Sequence, residues 1–277
     1  MEVKIYKMAG IVAMEKNGRW GLFGCEGNDE KTELVPLEFA QNLSSLKVYE
    51  HNNLIITPDT VCTLQGQVLL HHNGDAEVVK LPSKILIFAK DKKYGIQLII
   101  WNGRKVLLQE SCSGFRYSQK YLALQYRQVW SLFKIDGTPI DEAAFSAEDV
   151  EIHSEFLIAK HLCKEDLYSI KKRAVIKKEQ TKILCSDNLV LCAKVGESSL
   201  SVYDGIRWTR IPNADEFNMI NGVDHLFYVK RKDKYFLYDG IRRFMKSEYP
   251  DGVDFVGYDK EMLMIVNNGE PVFYNRE

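Results

Sequence analysis

The sequence predicts an all-β protein, a closed β-propeller of about eight short blades built from tandem repeats of roughly 35 residues in a single domain spanning 1–277. Three observations predict it. Short β-rich runs alternate with Gly, Asn and Asp turns along the whole chain. The order of those runs recurs from copy to copy. The two ends of the chain read as parts of one repeat.

Taken in order, the first copy is Ile11–Met14 with Trp20–Phe23. The second, Leu54–Ile56 with Val61–Leu64, is faint, and discounting it leaves about seven blades. In the third, Leu86–Lys90 is followed by polar Asp91–Lys93, then Tyr94–Ile100, the turn Asn102-Gly103 and a further run, Lys105–Gln109. This is the hairpin signature of apolar runs joined by turn residues. Leu122–Tyr126 leads to Trp130–Ile135 and the turn Asp136-Gly137, and Leu157–Lys160 leads to Leu167–Ile170. Leu189–Ala193 leads to Leu200–Tyr203 and Asp204-Gly205; Leu226–Lys230 leads to Tyr235–Tyr238 and Asp239-Gly240. These last two copies share the pentapeptide Tyr-Asp-Gly-Ile-Arg, at 203–207 and 238–242. The final copy, Met262–Val266 with Val272–Tyr274, stops after its second strand.

Glu2–Tyr6 precedes the first copy as Glu77–Leu81 precedes the third, and both take the place of the third strand of the preceding unit. The N-terminal strand is therefore expected to complete the last blade. An open stack leaves raw sheet edges at both ends, and a solenoid carries polar capping units, which the sequence lacks. A ring removes those ends.

Lys16-Asn17-Gly18-Arg19-Trp20-Gly21-Leu22-Phe23, with the later segment Leu34-Val35-Pro36-Leu37-Glu38-Phe39, resembles the WG-repeat (Trp-Gly repeat) family. Lys92-Lys93-Tyr94-Gly95-Ile96 is a looser match. Elsewhere the glycine becomes Ser131, Ser169, Ser201 or Phe236, and the tryptophan recurs only at Trp130. The resemblance implies a bacterial β-repeat protein of the interaction type. It implies that the aromatic packs between repeats and that the glycine allows close backbone approach. It carries over no catalytic residue.

The formal net charge of −1 excludes a global field for nucleic acid or anionic membrane. No apolar run reaches the roughly 18 residues of a membrane span, and the N-terminus lacks the apolar core of a secretory signal. Cys25, Cys62, Cys112, Cys163, Cys185 and Cys192 form no C-x-x-C and stand apart from histidines at zinc-ligand spacing. They read as buried reduced thiols, which points to a reducing, cytoplasmic compartment. His71 and His72 point to opposite faces of a strand and read as an exposed turn before Asn73-Gly74. Asp251-Gly252-Val253-Asp254 lacks the spacing of a calcium loop. No P-loop, G-x-S-x-G or H-E-x-x-H occurs. No metal, cofactor or catalytic residue is assigned.

The turns after the second strands of the copies carry Arg104, Arg173, Arg207, Arg242 and Arg243, with Trp208 alongside. Equivalent turns fall on one face of a ring. A basic rim interleaved with aromatics suits an acidic or phosphate-rich partner. The opposite turns, Lys90–Lys93 and Lys230–Lys232 with Lys234, are also basic and interspersed with Asp91 and Asp233. The expected function is a non-enzymatic scaffold that binds a protein or peptide on a propeller face. The alternatives are a hydrolase or lyase with its site at the central channel, and a polyanion-binding module. Two or more carboxylates or histidines meeting at the channel mouth would favour the enzyme. Steep salt dependence would favour the polyanion binder.

Overall fold

In the computed structural model the chain is all-β and antiparallel, with one short 3-10 turn among the described residues, at Glu50–Asn52. The structure describes residues 3–6, 11–16, 19–26, 30–39, 47–57, 59–72, 76–91, 95–186, 189–194, 196–220, 223–232, 234–240, 244–250, 253–257, 262–267 and 270–275. The chain divides into two compact units, 1–127 with 131–141 and 128–130 with 142–277.

In the first unit the leading sheet is Val3–Tyr6, Ile11–Lys16, Arg19–Glu26 and Glu30–Phe39. The second is Lys47–Tyr49, Leu54–Ile56, Thr60–Cys62 and Val68–His71. The third is Ala76–Leu81, Lys84–Asp91, Gly95–Trp101 and Val106–Cys112. The division into units falls within a fourth sheet, Gly114–Tyr117, Tyr121–Tyr126, Val129–Lys134 and Pro139–Ser146.

In the second unit seven strands form one sheet: Asp149–His153, Phe156–His161, Lys164–Ser169, Ala174–Cys185, Val190–Lys194, Ser199–Tyr203 and Trp208–Pro212. It is followed by Glu216–Ile220, Val223–Arg231, Lys234–Asp239 and Phe244–Pro250. The last sheet has three described strands, Val253–Gly257, Met262–Asn267 and Glu270–Asn275.

Each expected pair of runs forms the two middle strands of a sheet or, in the last one, its final two; within the seven-stranded sheet the pairs are 156–169 and 190–203. The phase of the repeat differs from expectation. Ala76–Leu81 opens the third sheet by pairing with Lys84–Asp91, so it belongs to its own unit. Val3–Tyr6 likewise pairs with Ile11–Lys16, with Val3 opposite Met14. The expectation that this strand completes the last blade is corrected: it is the opening strand of the first sheet. The physical reason is proximity in sequence, because a short connection costs little loop-closure entropy.

The apolar runs lack a two-residue alternation because both faces of the middle sheets are covered. In Lys84–Asp91, Ile85, Ile87 and Ala89 pack with Leu54, Ile56 and Val61 of the second sheet. Leu86, between them, packs with Leu122 and Leu124 of the fourth. The second unit repeats the pattern. Val190 and Cys192 pack with Phe156, Ile158 and Leu167, whereas Leu189 and Leu191 pack with Phe217, Phe227 and Val229. Each fully buried Leu or Ile removed from water contributes about 1.5–3 kcal/mol, so two-sided burial supplies most of the driving force.

Two tryptophans add directed bonds. Trp101, 1% exposed, donates its ring N–H to the Asn52 carbonyl at 2.6 Å. Trp130 donates to the Ala147 carbonyl at 3.1 Å, beyond its own sheet's last strand. Gly95 has φ +79°, and a Cβ there would lie 2.8 Å from the Cys112 carbonyl oxygen. One histidine expectation is corrected. His71 is exposed at a strand end, but His72 is 3% exposed, its N–H held by the Asp59 carbonyl at 2.8 Å.

Candidate binding site

The turns of Arg104 and Arg173 connect the third and fourth strands of their sheets, that of Arg207 connects the sixth and seventh strands of the seven-stranded sheet, and a side chain at the turn's start shapes each. Asn102 Oδ1 accepts the N–H groups of Arg104 and Lys105 at 3.0 and 2.9 Å. Asp204 Oδ1 does the same for Ile206 and Arg207, both at 2.9 Å. An Asx side chain mimics a backbone turn in this way, and Gly205, at φ 86°, supplies the left-handed residue it needs. In the turn after Lys164–Ser169, Ser169 Oγ accepts the Lys172 N–H at 3.2 Å, and Arg173 itself takes φ 52°. Because the cap uses main-chain N–H groups, the side chains of Arg104, Arg173 and Arg207 remain exposed.

The structure separates these residues by role. Arg104 belongs to the first unit, Arg173 and Arg207 to the second. Arg242 and Arg243 lie outside the described residues. Trp208 is half-buried, packed on the cluster of Phe156, Ile158 and Leu167. Its ring lies 5.2 Å from Tyr203, and the Lys177 ammonium sits 4.4 Å above it. That face is occupied by an intramolecular cation–π contact.

Arg207 lines one end of a crevice between Ser199–Pro212 and Val223–Asp239, in a pocket of about 240 Å³ with Arg210, Phe227, Tyr238 and buried Asp239. Arg210 is already engaged, donating to Ser199 Oγ at 2.7 Å and Glu197 Oε2 at 2.9 Å. The Arg207 guanidinium has no acceptor among the described residues.

A larger pocket, about 510 Å³, is lined by Ser198, Asn213, Asp215, Arg231, Lys232, Lys234 and Phe236. The register explains it. Phe227, Val229 and Arg231 lie opposite Tyr238, Phe236 and Lys234, so all six share one face of the hairpin. That face starts in the core, where Phe227 and Tyr238 stack at 5.3 Å, and ends in cations. Arg231 lies 5.0 Å from the Phe236 ring and 6.0 Å from that of Tyr238, and its Nη2 donates to the Tyr238 hydroxyl at 2.9 Å. Its buried Nε–H has no acceptor among the described residues. Asp215, the one carboxylate lining the pocket among the described residues, accepts the Lys232 N–H at 2.7 Å.

In the sequence, 230–234 reads as one of the basic turns opposite the arginine-bearing ones, interspersed with Asp233. The available signal was Arg231 at a strand end with Phe236 and Tyr238 on the returning strand.

The thiols of Cys62, Cys112 and Cys192 are not poised as nucleophiles. Burial pushes the Cys62 and Cys192 thiols up to about 12 and that of Cys112 to about 11. Among the described residues no group of three or more His, Cys, Asp or Glu side chains could hold a metal ion, and no helix is long and apolar enough to cross a membrane. The two pockets present charge, hydrogen bonding and aromatic contact.

No protein-family model matches the sequence, and no curated protein does. Among solved structures the chain is similar to Hsv2 of Kluyveromyces lactis, at 9% identity over 99% of this chain and 95% of that one, TM-score 0.39. It is similar to a eukaryotic initiation factor, at 10% over 90% and 78%, TM-score 0.40. A third is apo AztD from Citrobacter koseri, at 7% over 99% and 82%, TM-score 0.39. Similarity at these scores assigns the chain neither a fold family nor a function.

Proposed function

We propose that the chain is a β-propeller that acts as a non-enzymatic scaffold and binds a protein or peptide partner. Burial on both faces of successive sheets supports the propeller reading, since radial repetition gives every sheet two neighbours. The seven-stranded sheet supports a count of eight. Ala174–Cys185 pairs with Lys164–Ser169 through its first half and with Val190–Lys194 through its second, turning at Glu179 with φ 56°. Dividing that sheet there brings seven sheets to eight units. A WG-type repeat accords with Trp130 bonding beyond its own sheet.

The observation that carries the binding reading is Arg207, held out by its Asp204-capped turn over a pocket and without an acceptor among the described residues. A guanidinium so placed is a ready partner for a carboxylate. The test is capture from an extract of the source organism on immobilised protein, comparing wild type with Arg207→Glu. The reading expects a partner retained by wild type and lost, by about tenfold or more, on charge reversal. The same proteins retained equally by both would overturn the assignment of this face.

A further inference from the structure

We infer that the pocket of Arg231, Lys232 and Lys234 is an acidic-peptide site: it takes side-chain oxyanions of an extended segment lying in the mouth of the crevice. The inference rests on the scaffold reading above and names the chemistry of a partner at a second place on the same unit.

Charge complementarity selects an anion. Among the described residues three cations line the space with one carboxylate, Asp215, which accepts the Lys232 N–H. The Arg231 guanidinium is fixed by the Phe236 and Tyr238 rings and by the Tyr238 hydroxyl, and forms no ion pair among the described residues. A planar fork held by packing loses little freedom on meeting an oxyanion. Its buried Nε–H, without an acceptor among the described residues, marks a donor left over from folding. Lys232 and Lys234 are exposed at the rim, where they add attraction and speed the encounter.

Size and lining select a peptide. About 510 Å³ far exceeds one inorganic anion and falls within the range of sites that enclose an organic ligand. Ser198 and Asn213 on the opposite wall place hydroxyl and carboxamide groups where main-chain amides could pair. Nucleic acid fits less well. Single-strand binding needs aromatic faces for the bases, and Phe236, the only ring lining this pocket among the described residues, already carries the Arg231 guanidinium.

The test is fluorescence anisotropy on the full chain with labelled hexaglutamate and phosphoserine-containing peptides. Inorganic phosphate serves as competitor and a thymidine oligonucleotide as comparison. Binding of either peptide, weakened about tenfold or more by Arg231→Gln and by the surface pair Lys232→Gln/Lys234→Gln, supports the site. Arg104→Gln, in the other unit, should leave it unchanged. The tighter peptide identifies carboxylate or phosphoryl as the preferred oxyanion. Thermal melting confirms folding of Arg231→Gln and of the lysine pair, and the pair tests the site with the Arg231 contacts to Phe236 and Tyr238 left in place. Binding of neither peptide, binding indifferent to both variants, or tighter binding of the oligonucleotide would overturn the inference. Arg207→Glu separates the two readings: loss of partner capture with peptide binding intact, or the reverse, shows which one fails.

Discussion

Burial keeps Cys62, Cys112 and Cys192 protonated, and this has a consequence in alkali. Desolvation is the main cause in each; the Asp59 carboxylate adds to it at Cys62, while a backbone hydrogen bond from Gly114 opposes it at Cys112. Cys185 is raised by the same burial, with its neighbour Cys192 as a further cause. An unfolded thiol ionises near 9.0, so from there to about 12 the unfolded chain binds fewer protons than the folded one. The stability is therefore whole below pH 9 and is lost as pH rises through the folded values. Urea midpoints measured from pH 8 to 11 should fall more steeply for wild type than for Cys62→Ala/Cys192→Ala; parallel slopes would show these thiols to be uncoupled from folding. Reading the cysteines as small hydrophobes anticipated these positions. It did not anticipate Cys163, which is exposed on the tight turn after Phe156–His161, because a turn of so few residues leaves no surface to cover it. The Cys25 side chain lies outside the described residues.

At the scale of elements, the middle hairpins were legible because their strands are apolar on both faces and end in Asn, Asp or Gly turns. The opening strands were harder to see. Asp149–His153 and Glu216–Ile220 bury only Val150 in the one, and Phe217 and Ile220 in the other, so polar residues interrupt any run. The two opening strands that did stand out, 2–6 and 77–81, were assigned to the wrong neighbour, since periodicity reports a strand without its partner. The glycine of the Tyr94-Gly95 match illustrates how a turn pins register. Gly95 pairs with Asp91 across the hairpin and approaches the Cys112 carbonyl on the other side, at a φ that disfavours any side chain. Gly95→Ala should cost about 1–3 kcal/mol, read as a lower urea midpoint. An unchanged midpoint would mean that the third strand begins without this constraint.

For the whole molecule, the candidate site was only half legible. Arg207 could be found because a repeated pentapeptide placed it after an Asp-Gly turn. The Arg231 pocket could not, because a run of Lys, Arg and Asp reads as solvated surface until register sets Arg231 beside Phe236 and Tyr238. The central claim is larger than either pocket: sheets covered on both faces follow one another into a ring. Small-angle X-ray scattering on the monomer tests this most directly. A closed disc of 277 residues has the radius of gyration of a compact domain, about 19 Å by the usual size scaling. Eight sheets stacked at about 10 Å in an open array would form a rod with a radius of gyration of about 25 Å or more. The account predicts the smaller value with a single-peaked distance distribution; the larger value with a long tail would contradict it.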